Sequence, residues 1–300
     1  MGDCRDGYEG IESTIMQGHR ILAVFAHPDD ESFGPGGTLA KYARQGIPIF
    51  LLTATRGEAG EITDPTLLQG RSLAEVRTEE LHCAAQTLGI QEVILLGYRD
   101  SGMQGDPENT HPEALIQAED QEIALQIVKY IRMWRPTVVV TFEPHGGYGH
   151  PDHIKISRVT RIASEWAADA DVDRNLGPPW QILRLIYTAI PKSQLLALRK
   201  RLHERGSSTR EIDQFLAMGA GWEDAEVNLW VDVSSTLHVK WEAMRCHRTQ
   251  IHEGHPFLSL PEQDRQEIFS REAFAVAWPP LSSGRILSDF FEGLPPNRSN

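Results

Sequence analysis

Two short segments concentrate the residues able to do chemistry. One is "HPDDE", His27 to Glu31, and the other is "EPHGGYGHPDH", Glu143 to His153. Together they supply His27, Asp29, Asp30, His145, Tyr148, His150, Asp152 and His153. Crowded carboxylates repel one another, and charged groups drawn away from water are costly unless something binds them. A divalent cation satisfies both demands. Catalytic zinc takes three nitrogen or oxygen ligands and keeps one position for water, so His27, Asp30 and one histidine of "HPDH" make a sufficient set. Asp29, adjacent to a candidate ligand, is then placed as general base, with a second imidazole or a phenol to stabilise an oxyanion. Those parts suit amide or ester hydrolysis. Taken alone, "HPDDE" is also the sequence of a helix-capping loop, with Asp30 or Ser32 as cap. The second segment is what favours a shared metal site.

Both segments follow continuous apolar runs, "ILAVFA" before the first and "PTVVVTF" before the second. Runs of this kind, separated by amphipathic stretches such as "GGTLAKYARQG" and "RSLAEVRTEELHCAAQTLG", indicate parallel strands buried on both faces. Right-handed crossovers then build a Rossmann-like three-layer α/β/α sandwich with a mostly parallel sheet. In such a sheet the loops at the carboxyl ends of strands share one crevice, which brings the two segments together. Further strands are expected at "IPIFLLTAT", "EVILLG", "ILRLIYTAI" and "VNLWVDV", and helices within 113–134 and at "STLHVKWEAMRCHRTQI". The expected organisation is a flexible arm over 1–18, one domain over 19–285 with a variable insertion near 192–225, and a tail over 286–300. The basic cluster in that insertion reads as a solvated helix face. "GPGG" lacks the GxGxxG spacing, and acids stand where phosphate would, so a nucleotide loop is not expected.

A formal charge of −13 disfavours nucleic acid and anionic membrane surfaces as partners. No apolar run approaches the roughly 20 residues of a membrane helix, and no secretory leader is apparent, so a cytoplasmic protein is expected. Cys4, Cys83 and Cys246 are odd in number and widely spaced, which points to reduced thiols.

In order along the chain, "AHPDDE", "GGTLAKYARQG", "TRGEAGE" and "PHGGYGHPDH" resemble the LmbE/PIG-L family of metal-dependent N-acetylglucosamine de-N-acetylases, and the likeness returns at "KWEAMRCHRTQI". Within it, "GEAGE" and "YRDSGM" are most similar to the mycothiol-pathway deacetylases of N-acetylglucosaminyl-inositol. The resemblance implies zinc, or Fe(II), on His27, Asp30 and His153, with Asp29 as general base and His150 and Tyr148 on the oxyanion. It implies sugar contacts from Glu58, Arg77 and Asp100. Glu31 and Asp152 would position their neighbours, and His247 and Gln250 would stand behind the site. The implied partner is a small N-acetylated sugar conjugate, with homo-oligomerisation left open. Two other functions use the same residues: a non-catalytic, metal-dependent sugar-binding protein, and a de-N-acylase with a non-sugar substrate.

Overall fold

In the computed structural model, which describes residues 18–62, 64–251, 255, 258 and 260–296, the apolar runs are strands. Strands β1 (Ile21–Phe25), β2 (Ile49–Thr53), β3 (Glu92–Leu95), β4 (Val138–Phe142) and β5 (Arg184–Ala189) are mutually parallel where they pair. Strands β6 (Leu229–Asp232) and β7 (Arg271–Trp278) complete a seven-stranded sheet in the order β3-β2-β1-β4-β5-β7-β6, with β7 antiparallel to both neighbours. Every residue of β1 and β4 is buried, as a central strand covered on both faces requires. The chain order reverses between β1 and β4, so the loops that follow them flank the crevice where open α/β sheets bind ligands.

The helices are the single turn α1 (Asp30–Phe33), then α2 (Gly36–Arg44), α3 (Leu73–Leu88), α4 (Asp120–Trp134) and α5 (Pro151–Trp166). After β5 come α6 (Lys192–Glu204), α7 (Arg210–Ala217), α8 (Leu237–Cys246) and α9 (Glu262–Phe269). Helices α2, α3 and α8 pack together, as do α4 and α5. Right-handed crossovers in opposite directions along the sheet put these two groups on its two faces. Helix α3 starts at a reciprocal Ser72–Glu75 capping box and stops at Gly89, whose φ of 79° suits glycine.

Three features differ from the sequence reading. Strand β7 was not expected, because "REAFAVAW" opens on two charged residues. Glu272 is buried within it, and its carboxylate accepts hydrogen bonds from the Gly37 and Thr38 amides at 2.9 and 2.8 Å and from Lys240 at 2.6 Å. "GPGG" therefore does hold an anion at a helix start, but the anion is a side chain of this protein. Second, Cys83 and Cys246 form a disulfide between α3 and the end of α8, with Cα atoms 5.8 Å apart. Cysteines 163 positions apart give no local sign that their helices touch. Third, the basic face of α6 is only partly solvated, since Arg201 and Arg205 pair with buried Asp264 of α9.

Within the segment read as a tail, Leu287, Phe290 and Phe291 are buried against the main core. Residues 1–17 and 297–300, with Cys4, lie outside the described residues, as does His252. Among the described residues no helix is long and apolar enough to cross a membrane.

Candidate active site

The loop after β1 is held in an unusual shape. Asp29 has φ 123° and ψ −28°, a region that side-chain-bearing residues rarely adopt. Its carbonyl accepts from the Ser32 and Phe33 amides, both at 2.9 Å, which starts α1. The Asp30 carboxylate turns back to accept from the His27 amide at 2.7 Å. Buried Arg77, on α3, donates to the Pro28 carbonyl at 2.6 Å, to the Asp29 carboxylate at 3.0 Å and to the Gly57 carbonyl at 3.0 Å. The glycines of "RGEAGE" make room for that guanidinium: a Cβ on Gly57 or Gly60 would lie 2.2 or 2.3 Å from Arg77 Nη1.

The loop after β4 is braced by Glu143, whose carboxylate accepts from the His145 and Gly147 amides, each at 2.6 Å. Gly146, at φ 69°, lies so near α5 that a Cβ there would meet His153 Cβ at 2.8 Å. His150 is the N-cap of α5; its Nδ1 accepts from the Asp152 amide at 3.2 Å, and Pro151 supplies the first helical position. This cap sets His153 on the first turn, its ring stacked on Phe142 at 3.9 Å.

The two loops meet at the histidines. His27 Nδ1 lies 3.1 Å from His153 Nε2, and Asp30 oxygens lie 3.7 Å from His27 Nδ1 and 3.4 Å from His153 Nε2. His153 Nδ1 is engaged with the Gly146 carbonyl at 3.1 Å, and His27 Nε2 faces Asp152 and Asp100 at 3.2 and 3.4 Å. Both of those outer nitrogens therefore carry protons. With both rings neutral the inner nitrogens are two lone pairs facing each other beside a carboxyl group, an arrangement relieved by a cation, either a metal ion between them or a proton on His27. The donor set fits a divalent metal, each imidazole being oriented by a hydrogen bond through its other nitrogen. A nitrogen of His150 belongs to the same cluster, within 4.8 Å of nitrogens of His27 and His153.

The electrostatics agree. Burial works against charge on His27, but Asp100, Asp152 and Asp30 hold its pKa well above the ordinary value, so the pocket draws in positive charge. Burial pushes Asp30 up to about 8. Burial, then the neighbouring His27, pushes His150 down to about 4 and His153 well below its ordinary value. Asp29 is raised by burial, with Arg77 pulling the other way. Burial and the nearby carboxylates raise the Tyr148 phenol.

Asp100 lies at the cluster's edge, accepting from the Gly102 and Ala59 amides at 2.9 and 3.3 Å, while Glu58 accepts from the Asp100 amide at 3.0 Å. Half-buried Tyr148 has its ring 5.3 Å from that of His153 and 5.0 Å from that of Phe215 in the inserted helix α7. His145 is exposed and contributes only its backbone to the turn. Glu143, unassigned in the sequence reading, is the brace of this loop. Its signal was present: an acidic residue directly after a buried strand, ahead of a glycine turn with amides to satisfy.

Residues 22–164 match the model of the PIG-L family, GlcNAc-PI de-N-acetylase. The chain belongs to the PIG-L family. It is 40% identical over 295 residues to a 1D-myo-inositol 2-acetamido-2-deoxy-alpha-D-glucopyranoside deacetylase of Thermomonospora curvata, covering 92% of this chain and 97% of that one. A protein of the same name from Streptomyces scabiei is 37% identical, with 95% and 92% covered. Among solved structures, the N,N'-diacetylchitobiose deacetylase of Pyrococcus horikoshii superposes with a TM-score of 0.60 over 99% of this chain and 98% of that one, at 18% identity, a likeness of fold. As a PIG-L protein the chain is an enzyme, an N-deacetylase of the hydrolase class.

Proposed function

We propose that this PIG-L enzyme removes the acetyl group from an N-acetylglucosamine unit linked to inositol, with zinc held by His27, Asp30 and His153. The observation that carries the reading is the pair of inner imidazole nitrogens 3.1 Å apart, each ring oriented by the partner of its other nitrogen, with Asp30 beside them and Asp29 next in the chain. A zinc ion held by these three residues would supply a water of pKa lowered towards roughly 7 and a Lewis acid for the amide carbonyl. Fe(II) suits the same ligands.

The chain's own residues do the rest. Asp29 accepts one proton of the attacking water and returns it to the departing nitrogen, so one water and one amide give an amine and acetic acid, which at neutral pH become ammonium and acetate when the acid's proton passes to the amine. Arg77 holds one Asp29 oxygen and leaves the other available. His150 is neutral at physiological pH; its Nδ1 is occupied as an acceptor, so the proton sits on Nε2, free to donate to the oxyanion. Tyr148, a phenol kept protonated by burial, is the second donor. Glu58 and Asp100, beside the histidine cluster, serve as contacts for sugar hydroxyls, while Arg77 is engaged with Pro28, Asp29 and Gly57.

The test is acetate and amine release from a panel of N-acetylglucosamine conjugates, including inositol, malate and chitooligosaccharide types, with and without chelator. Chelator-sensitive release fastest from the inositol conjugate is expected. Release that ignores chelator would refute the metal, and preference for another conjugate would refute the substrate.

A further inference from the structure

We infer that Glu31 and His247 form a positioning pair that holds Asp29 in its strained, working conformation; this rests on Asp29 being the general base. Asp29 is one of three described non-glycine residues with positive φ, and at 123° it lies much further out than Gln69 at 48° or Arg135 at 52°. Such a conformation persists only when its surroundings impose it. The carbonyl is fixed by the start of α1 and the carboxylate by Arg77. The remaining group, the Asp29 amide, donates to Glu31 Oε2 at 3.0 Å.

Glu31 is fully buried, and a buried carboxylate stays in place only if its oxygens are answered. Its other oxygen takes the His247 Nε2–H at 2.7 Å, across 216 positions of sequence. His247 is itself fully buried at the end of α8, and among the described residues its Nδ1 has no hydrogen-bond partner. The shortest polar contact of the ring is with Glu31; the Ser32 hydroxyl lies 3.4 Å from the same Nε2 and donates to the same Glu31 oxygen, so the three groups lock together beside Asp29. A histidine buried for packing alone would need no such partner, and a carboxylate needed only to cap α1 would not be matched from a distant helix. The line from His247 to Glu31 to the Asp29 amide ends on the residue whose carboxylate moves the proton.

The experiment is a kinetic cycle on the zinc-loaded enzyme with His247→Gln, Glu31→Gln, Asp29→Asn and the double variants His247→Gln/Asp29→Asn and Glu31→Gln/Asp29→Asn. His247→Gln is expected to lower kcat by about tenfold or more, with KM and metal content unchanged, because only the placement of the base is disturbed. In the Asp29→Asn background it is expected to lower the residual rate no further. Glu31→Gln, which keeps an acceptor for the Asp29 amide, should lose less than Glu31→Ala. Equal fold-losses in both backgrounds, or a change confined to KM or to thermal stability, would overturn the proposal. If His247→Gln does not fold, Glu31→Gln and its double variant decide by the same criterion. Full turnover in Asp29→Asn alone would instead defeat the base assignment, so the two failures are distinguishable.

Discussion

The guanidinium of Arg77 lies 3.0 Å from the carboxylate of Asp29 and reaches it from a helix 48 positions further along the chain. The contact orients the base and opposes the rise in pKa that burial causes. Asp29→Asn is therefore expected to keep its metal and lose about 10²–10⁴-fold in kcat, the usual contribution of a placed general base. Gly57→Ala should imitate the loss of Arg77, because the new methyl would occupy the guanidinium's place. Steady-state kinetics with metal analysis checks both, and a Gly57→Ala enzyme with normal kcat would show that the Arg77 contact is dispensable.

The ligands and their orienting groups should separate by metal content. His27→Ala or Asp30→Ala is expected to abolish stoichiometric zinc, whereas Asp152→Asn should weaken it by roughly 10–100-fold, since Asp152 acts on His27 from 3.2 Å without a place among the proposed ligands. Competition with a chelator of known affinity measures the difference. Retention of tight zinc by His27→Ala would remove the proposed site.

His150 and Tyr148 should affect rate and leave metal alone. Loss of one oxyanion donor typically costs about 10²–10³-fold in kcat, so His150→Ala and Tyr148→Phe are each expected to fall in or just below that range. Zinc content equal to the parent enzyme is part of the expectation. A variant that loses zinc in proportion to activity would move that residue into the ligand set.

Continuous apolar runs made β1 and β4 legible, and with them the crevice, because a strand buried on both faces needs no polar alternation. The clustering of His27 and His153 could likewise be read from two acid- and histidine-rich loops at strand ends. What escaped the reading depends on partners far away in sequence. Glu272 received no reading, because its partners are the amides of Gly37 and Thr38, more than 230 positions earlier. Arg77 read as a sugar contact, but its described bonds run to Pro28, Asp29 and Gly57. His247 was placed behind the site by resemblance alone, and its partner, a carboxylate 216 positions earlier, left no local sign.

Asp120, at the first turn of α4, gives a pH test remote from the metal. Partial burial works to raise its pKa, but hydrogen bonds from Arg158 and Lys155 of α5 outweigh this and hold it below the usual carboxylate range. A carboxylate depressed in the folded state contributes its stability above the unfolded pKa, near 4, and loses it as pH falls through the lower folded value. The side chain is about a third exposed, so Asp120→Asn is expected to cost only about 1 kcal/mol at pH 7. That cost should shrink towards zero as pH falls through the depressed folded value. Urea unfolding of both proteins at several pH values checks it, and a pH-independent difference would exclude the ion pair as its source.

The Cys83–Cys246 disulfide ties α3, which carries Arg77, to α8, whose end carries His247. It closes a loop of 163 positions, and cross-links that restrict the unfolded chain typically stabilise by about 2–4 kcal/mol. Cys83 is exposed and Cys246 half-buried, so a thiol reductant can reach the bond without prior unfolding. Dithiothreitol, or Cys83→Ser with Cys246→Ser, is expected to lower the urea midpoint and to leave kcat near the parent value well below that midpoint, because the hydrogen bonds that Thr249, in the turn after α8, donates to Glu80 of α3 still hold the two segments together. Thiol titration before and after reduction establishes the state of the pair. Two free thiols at these positions in the untreated protein, or one midpoint for both states, would show that the bond contributes nothing to the fold.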